Sequence, residues 1–357
     1  MSGTWGSNIK FSIFGESHGK AIGITIDGLK PGIGLDLDYI RREMDRRAPG
    51  KSDLSTQRQE GDSFEILSGL FNGRTTGTPL CAIIRNSDQR SGDYEKTKAL
   101  MRPSHADYTG HVKYRAFNDY RGGGHFSGRL TAPLVFAGAV CRQILEAKGI
   151  LIGSHIRSIG SIEDRGFSLT GIDQETLRSL REKSFPVLDD GAVEAMQKEI
   201  LDAKEDRDSV GGVIEAAAVN LPAGIGEPFF DSLESTLAHI LFSVPGVKGL
   251  EFGAGFAIAG MRGSEANDEC HVEDGKLRMY TNNNGGILGG ITNGMPLVFR
   301  VAVKPTPSIG RPQRTVNIDK MENETIEIAG RHDPCIVTRA VPVIEAVTAM
   351  ALLDNID

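Results

Sequence analysis

No run of this sequence approaches the ~18 consecutive apolar residues that a membrane-spanning helix requires. Its first residues, MSGTWGSNIKF, carry neither a basic stretch nor the apolar core of a secretory signal. Cysteine is scarce: Cys81, Cys141, Cys270 and Cys335 lie far apart with no CxxC spacing. That pattern fits free thiols in a reducing compartment better than a disulfide framework. No HExxH or clustered Cys/His spacing is present, so no metal site is expected. Positive charge is in deficit, with 40 Lys and Arg against 47 Asp and Glu and a formal charge of −7. Proteins that coat nucleic acid or anionic membrane show the opposite balance. The expectation is a cytoplasmic protein with neither kind of partner, in which the sequon Asn323-Glu324-Thr325 is a chance match.

Glycine is abundant: 44 of 357 residues, against roughly 25 at the usual ~7 %. The glycines cluster without a period, as in loops where backbone approaches a ligand closely. Residues 9–14 alternate, with Ile9, Phe11 and Ile13 on one face, and so do 22–26. Further strand-like runs fall at 64–67, 80–85, 212–219, 250–259 and 296–303. A helix is expected over roughly 36–48, with Asp36 as N-cap and Pro49-Gly50 as stop. Others are expected near 131–148 (ended by Gly149), 173–183, 189–204, 231–243 and 339–353. Strands joined by few residues favour antiparallel pairing, hence an α+β fold over a doubly wound parallel sheet. No linker or repeat divides the chain, so 1–357 reads as one domain, with 155–210 as a helical excursion.

Three motifs nearly match and are rejected. Gly15-Glu16-Ser17-His18-Gly19 fits the nucleophile-elbow pattern, but a strand-like segment follows where the elbow needs a helix. Gly50-Lys51-Ser52 resembles the end of a P-loop, but Asp45 stands at the required glycine. Gly253-Ala254-Gly255 opens like a dinucleotide fingerprint, but Ile258 replaces its third glycine.

The chemistry is sought elsewhere. His18, between two glycines at a strand junction, suits protonation of a leaving group, or is a turn histidine without a role. In the first helix Leu37, Ile40 and Met44 form an apolar stripe that Arg47 continues, whereas Arg41, Arg42 and Arg46 lie off it. An inward guanidinium needs an anion, either a ligand or a structural carboxylate. Arg102 to Thr109 packs a cation, an imidazole and a carboxylate together, which local turn hydrogen bonding explains almost as well. Asp119 to Thr131 carries a glycine run entering a helix, with free N–H groups suited to phosphate or an electron-rich ring edge. Asn282 to Gly294 is a second backbone-rich segment, followed by Lys304-Pro305-Thr306-Pro307-Ser308 and by Gly330-Arg331-His332-Asp333-Pro334-Cys335. Convergent Arg and His on Gly-rich loops suit an enzyme for an anionic substrate with a planar cofactor.

In order, GESHG at 15–19, RPSHAD at 102–107, YRGGG at 120–124 and SGRLT at 127–131 resemble chorismate synthases. So do GGILGGI at 285–291, KPTPSI at 304–309 and GRHDPC at 330–335. The resemblance implies a β-α-β sandwich of antiparallel sheets flanked by helices, assembling as a homotetramer. It implies conversion of 5-enolpyruvylshikimate 3-phosphate to chorismate by 1,4-elimination of phosphate, with reduced FMN required but not consumed. Position by position, it implies that His18 protonates the departing phosphate and that His105 stays near the flavin pyrimidine edge. Asp333 then assists proton movement at flavin N5, unless it caps the C-terminal helix or pairs with Arg331. Arg47, Arg102, Arg129 and Arg331 clamp phosphate and carboxylates. His125, Phe126, Ser127, Pro245, Gly246, Gly289 and Lys304 to Ser308 line the FMN site, which Arg331 also borders.

The sequence departs from that pattern in places. Ser104 replaces the more usual Gly, Ala48 a third Arg, and His125-Phe126 a common Arg-Ser. Asp53 stands where many members carry an Arg assigned to NADPH. NADPH is thus expected only indirectly, as a source of reducing equivalents, with a separate flavin reductase as a candidate partner. The rivals are a flavin-dependent oxidoreductase for a phosphorylated anion and a flavin- or phosphosugar-binding protein.

Overall fold

The computed structural model describes residues 3–50, 61–86, 98–328 and 333–356. Alternating apolar residues build a first sheet from β1 (Thr4–Trp5), β2 (Lys10–Gly15), β3 (Ala21–Asp27), β4 (Phe64–Ser68) and β5 (Leu80–Arg85). Its order is β1-β2-β3-β5-β4 and every pairing is antiparallel. A second antiparallel sheet contains β6 (Leu151–Ile159), β7 (Ile162–Glu163), β8 (Gly212–Val219), β9 (Val247–Phe252) and β10 (Leu297–Val303). There the order is β9-β10-β8-β6-β7. The fold is α+β, as expected.

Long helices fill the space between the sheets, and a shorter one packs on the outer face of the second. Asp36 caps α1 (Leu37–Arg47), its carboxylate accepting from the N–H groups of Asp38 and Tyr39 at 2.8 and 3.1 Å. After the short α2 (Asp107–Lys113) comes α3 (Thr131–Ala147), stopped by Gly149 at φ +83°. By length and hydropathy Arg121–Ala147 could cross a membrane, but 78 % of its apolar window is buried inside the protein. Beyond it lie α4 (Gln174–Glu182), α5 (Val193–Glu205), α6 (Leu233–Leu241) and α7 (Val337–Ile356). Helices α3 and α7 are buried almost all round and press together at Gly138, where a Cβ would fall 2.3 Å from Ala346 Cα. On one side of this pair stands the first sheet, on the other the second.

Two expectations need adjustment. The stretch 155–210 begins inside the second sheet, because β6 runs to Ile159. This strand is buried on nearly every residue, so it lacks the alternation that marks a half-exposed strand. The run at 250–259 leaves the sheet after Phe252, where Gly253 turns the backbone to φ +54°.

The second sheet also buries a charge-bearing triad. His155, fully buried on β6, lies 3.1 Å from Asp164 through Nδ1 and 2.9 Å from Glu215 through Nε2. Burial depresses the imidazole pKa, but the hydrogen bonds to Asp164 and Glu215 outweigh it and raise the value above the ordinary 6.5. A raised folded pKa gives stability that is full below about 6.5 and lost as pH rises through the folded value. The thermal midpoint of the wild type should therefore decline over that window, and His155→Gln should remove the decline. Parallel slopes in scanning calorimetry from pH 6 to 9 would refute this origin.

Candidate active site

The strand β2 ends in the Gly15–Gly19 turn, closed by Gly19 N–H donating to the Glu16 carbonyl at 3.0 Å. Ser17 N–H donates to the Gly124 carbonyl at 3.1 Å, which docks this turn against the second glycine segment. Gly122, Gly123 and Gly124 have φ of +57°, +82° and +55°, three successive left-handed residues that only glycine tolerates cheaply. A Cβ at Gly122 would fall 2.2 Å from His18 Cε1, so the imidazole lies directly against bare backbone. Ser17 Oγ, itself buried, lies 3.1 Å from His18 Nδ1.

Gly122 and Gly123 line a cavity of about 470 Å³, within the usual range for a small-molecule site. Its walls include Arg47, Arg102, His105, Ser127, Arg129 and Asp333. Phe126, Pro245, Gly246, Lys304, Thr306, Pro307 and Ser308 also face it. Four residues expected at the site are placed otherwise. His18 sits behind Gly122, 6 % exposed. His125 Nδ1 donates to the Gly15 carbonyl at 2.8 Å, outside the cavity walls. Gly289 is exposed in the turn between the short strands Ile287–Leu288 and Ile291–Thr292, and Pro305 does not face the cavity. Arg331 and Asp53 lie outside the described residues.

Arg47 reaches inward from the last turn of α1. Its Nε donates to Thr131 Oγ1 at 3.1 Å and its Nη1 to the Asp62 carboxylate. Burial, reinforced by Arg339 and Arg129, brings its pKa down to about 10 against the pull of Asp62. Arg46, read as lying off the stripe, is instead 16 % exposed and pairs with Glu43 and Glu345. Arg102 forms a bidentate pair with Asp107 at 2.7 and 2.8 Å. The Arg102–Asp107 turn also places Ser104 at φ +58°, the left-handed region that costs a non-glycine about 1–2 kcal/mol. A glycine there would avoid that cost. Lys304 Nζ donates to the Ser104 carbonyl at 2.8 Å, and burial, then nearby Lys248, lower its pKa.

His105 carries a fixed proton. Nδ1 lies 3.0 Å from the Pro103 carbonyl, which only accepts, so this nitrogen holds the hydrogen. Burial, then Arg102, pull its pKa down to about 4, with Lys304 adding to the fall. The ring is neutral near pH 7, and its Nε2 accepts from Ser308 Oγ at 2.9 Å. Such a group is suited to orienting a ligand and poorly suited to delivering a proton at neutral pH.

The partner of Asp333 is Arg339, whose Nη1 donates to Oδ2 at 2.6 Å and whose Nε donates to the Arg47 carbonyl at 3.2 Å. Reading the sequence missed Arg339. Its signal was a cation in the first turn of a helix, where the dipole disfavours it and a specific anion must compensate. Asp62 was also missed, and no sequence pattern marks it.

Among the described residues, six cationic side chains line the cavity (Arg47, Lys98, Arg102, Arg129, Lys304, Arg339) against three carboxylates (Asp107, Asp119, Asp333). Such a concentration of positive charge in a chain of net −7 suits an anionic occupant. Cavity and fold together define an α+β enzyme for a small anionic substrate.

A family model described as Chorismate synthase matches residues 9–356. A Thermococcus kodakarensis protein named chorismate synthase is 47 % identical over 351 residues, 98 % of this chain and 96 % of its own. One from Methanocella arvoryzae is 47 % identical over 352 residues, 99 % of this chain and 93 % of its own. A solved structure described as the crystal structure of chorismate synthase matches with a TM-score of 0.76 at 31 % identity. That match covers 98 % of this chain and 92 % of the other. The chain belongs to the chorismate synthase family.

The His105 geometry predicts that its ¹⁵N-labelled ring stays the neutral Nδ1–H tautomer from pH 5.5 to 8 in NMR spectra. A protonation midpoint near 6.5 would contradict it.

Proposed function

We propose that this chain converts 5-enolpyruvylshikimate 3-phosphate to chorismate by anti 1,4-elimination of phosphate, using reduced FMN. The observation that carries the reading is the cationic excess in the cavity. The substrate is a phosphate with two carboxylates, and a site of that charge neutralises it on binding. A planar cofactor also fits the cavity. Thr306 Oγ1 is buried there without a hydrogen-bond partner among the described residues. The hydroxyls of Ser127 and Ser308 and the backbone of Gly246 share the same walls. When bound, reduced flavin supplies electron density that stabilises electron deficiency as phosphate departs.

The chain's own residues divide the remaining work. Arg47, Arg102 and Arg129, with Arg331, hold the phosphate and carboxylates. His18, kept in place by Ser17, stands one glycine behind the cavity wall, and a shift of the Gly122 segment brings it to the departing phosphate oxygen, to which it gives a proton. His105, through its bond to Ser308 Oγ, fixes the orientation of that wall hydroxyl, and Asp333, held by Arg339, accepts or relays the substrate proton. Phe126, Pro245, Gly246, Lys304, Thr306, Pro307 and Ser308 border the flavin, joined by His125, Pro305 and Gly289 where assembly brings them near.

The assembly is a homotetramer in the cytoplasm. Supporting it are Phe229, Phe230 and Phe256, all more than four-fifths exposed, and Val272 opposite Leu277 on an exposed hairpin. Such apolar surface is costly unless covered. Residues 1–357 act as one domain, supported by a buried core that runs from Phe11 in the first sheet to Phe299 in the second. The flavin is reduced by a separate reductase, with NADPH acting only as that reductant's source.

Counting phosphate released per electron supplied tests the reaction. Under anaerobic conditions dithionite-reduced FMN should support many turnovers and oxidised FMN none. Stoichiometric consumption of reductant would mark an oxidoreductase, and binding without release a carrier protein. Asp333→Asn keeps shape and loses basicity, so stopped-flow should show turnover at least roughly tenfold slower with ligand affinities retained. Weakened binding at an unchanged maximal rate would make Asp333 a positioning group instead.

A further inference from the structure

We propose that Asp62 is a positioning residue that holds Arg47 and Arg129 as a preformed anion clamp. This rests on the functional reading above, in which both guanidinia bind substrate anions. Each of the two arginines is about 95 % buried and each faces the cavity. Two like charges so removed from water repel strongly, and neither conformation is stable without a counter-charge. Asp62 provides it with both oxygens: Oδ2 accepts from Arg47 Nη1 and Oδ1 from Arg129 Nη1. Burial works to raise the Asp62 pKa, but Arg47 and Arg129 outweigh it and keep the group ionised.

The carboxylate stands behind the clamp. Asp62 has a fully buried side chain and is not among the cavity walls, whereas the two arginines are. The carboxylate thus holds both guanidinia from outside the cavity that they line. The second bond of each arginine fixes the plane of its guanidinium: Arg47 Nε on Thr131, and Arg129 Nε on Asn86 Oδ1 at 3.2 Å. Asn86 Nδ2 in turn donates to the Glu16 and Gly19 carbonyls at 3.0 and 2.9 Å. The clamp is therefore tied to the turn that carries His18. Substrate anion and proton donor are thereby held in one frame.

The test opposes geometry to simple electrostatics. Asp62→Asn makes the site more positive, so a mere charge effect tightens anion binding. Loss of the clamp weakens it, because the NH2 that replaces one carboxylate oxygen donates and cannot accept from the arginine facing it. On anaerobic holoenzyme, the KM for 5-enolpyruvylshikimate 3-phosphate should rise at least roughly tenfold, as misplaced binding groups do. kcat should change far less. Inorganic phosphate, titrated calorimetrically, should lose affinity in parallel. Asp62→Glu, which retains the charge but shifts it by one methylene, should lie between the two and serves if Asp62→Asn fails to fold. Unchanged KM or tighter phosphate binding in either folded variant overturns the proposal. A wild type that releases no phosphate from substrate overturns the functional reading instead, and the phosphate titration still decides the clamp.

Discussion

The structure depends on one buried charge, the carboxylate of Glu345 in the middle of α7. Arg46 Nη1 donates to it at 2.6 Å and Arg142 Nη1 at 2.7 Å, from α1 and α3. Ser154 on β6 donates to it from both its N–H and its Oγ at 3.0 Å. Arg142 also donates to the Ile152 carbonyl at 2.9 Å. Burial opposes ionisation of Glu345, yet Arg46 and Arg142 bring its pKa down to about 2. One carboxylate thus joins three helices to the second sheet. Removing a single partner from such a buried pair typically costs about 3–5 kcal/mol, since the other is left charged and unpaired.

That knot sets the orientation of the functional helices. Glu43 and Arg46 fix the rotation of α1, so the next residue, Arg47, turns toward the cavity. Glu345 fixes α7, and Arg339, six residues earlier, then reaches Asp333 and the Arg47 carbonyl. The rest of the cavity comes from loops whose backbone is unusual enough to require glycine, above all Gly122 to Gly124. Rigid helices therefore supply the cations, and glycine segments supply close approach.

Much of this was legible in the residues. The capping pattern at Asp36 and the phase that carries Arg47 inward were local signals, and both gave the right element. Helix α3 and its stop at Gly149 follow from periodicity and one glycine. Strand β6 was not legible, because burial on both faces erases the alternation that identifies a strand. Asp62 was hidden for another reason. Its meaning depends on two arginines 15 and 67 residues away, and no local pattern encodes a long-range charge balance. His105 was found as a residue, but its protonation state was not legible, since its low pKa comes from burial and cations brought together only by folding.

Charge balance separates the structural arginines from the functional ones. Around Glu345, three guanidinia (Arg46, Arg142, Arg181) meet three carboxylates (Glu43, Glu146, Glu345), and the group is neutral. A neutral buried cluster needs nothing further and has no reason to face solvent. Among the described residues of the cavity wall, cations outnumber carboxylates. A buried cation that also faces a cavity can exchange part of its hydration for contact with a bound anion. Arg46 and Arg47 are adjacent in sequence and chemically identical, yet they fall on opposite sides of this division. One completes a neutral knot. The other shares its carboxylate with Arg129 and faces the cavity.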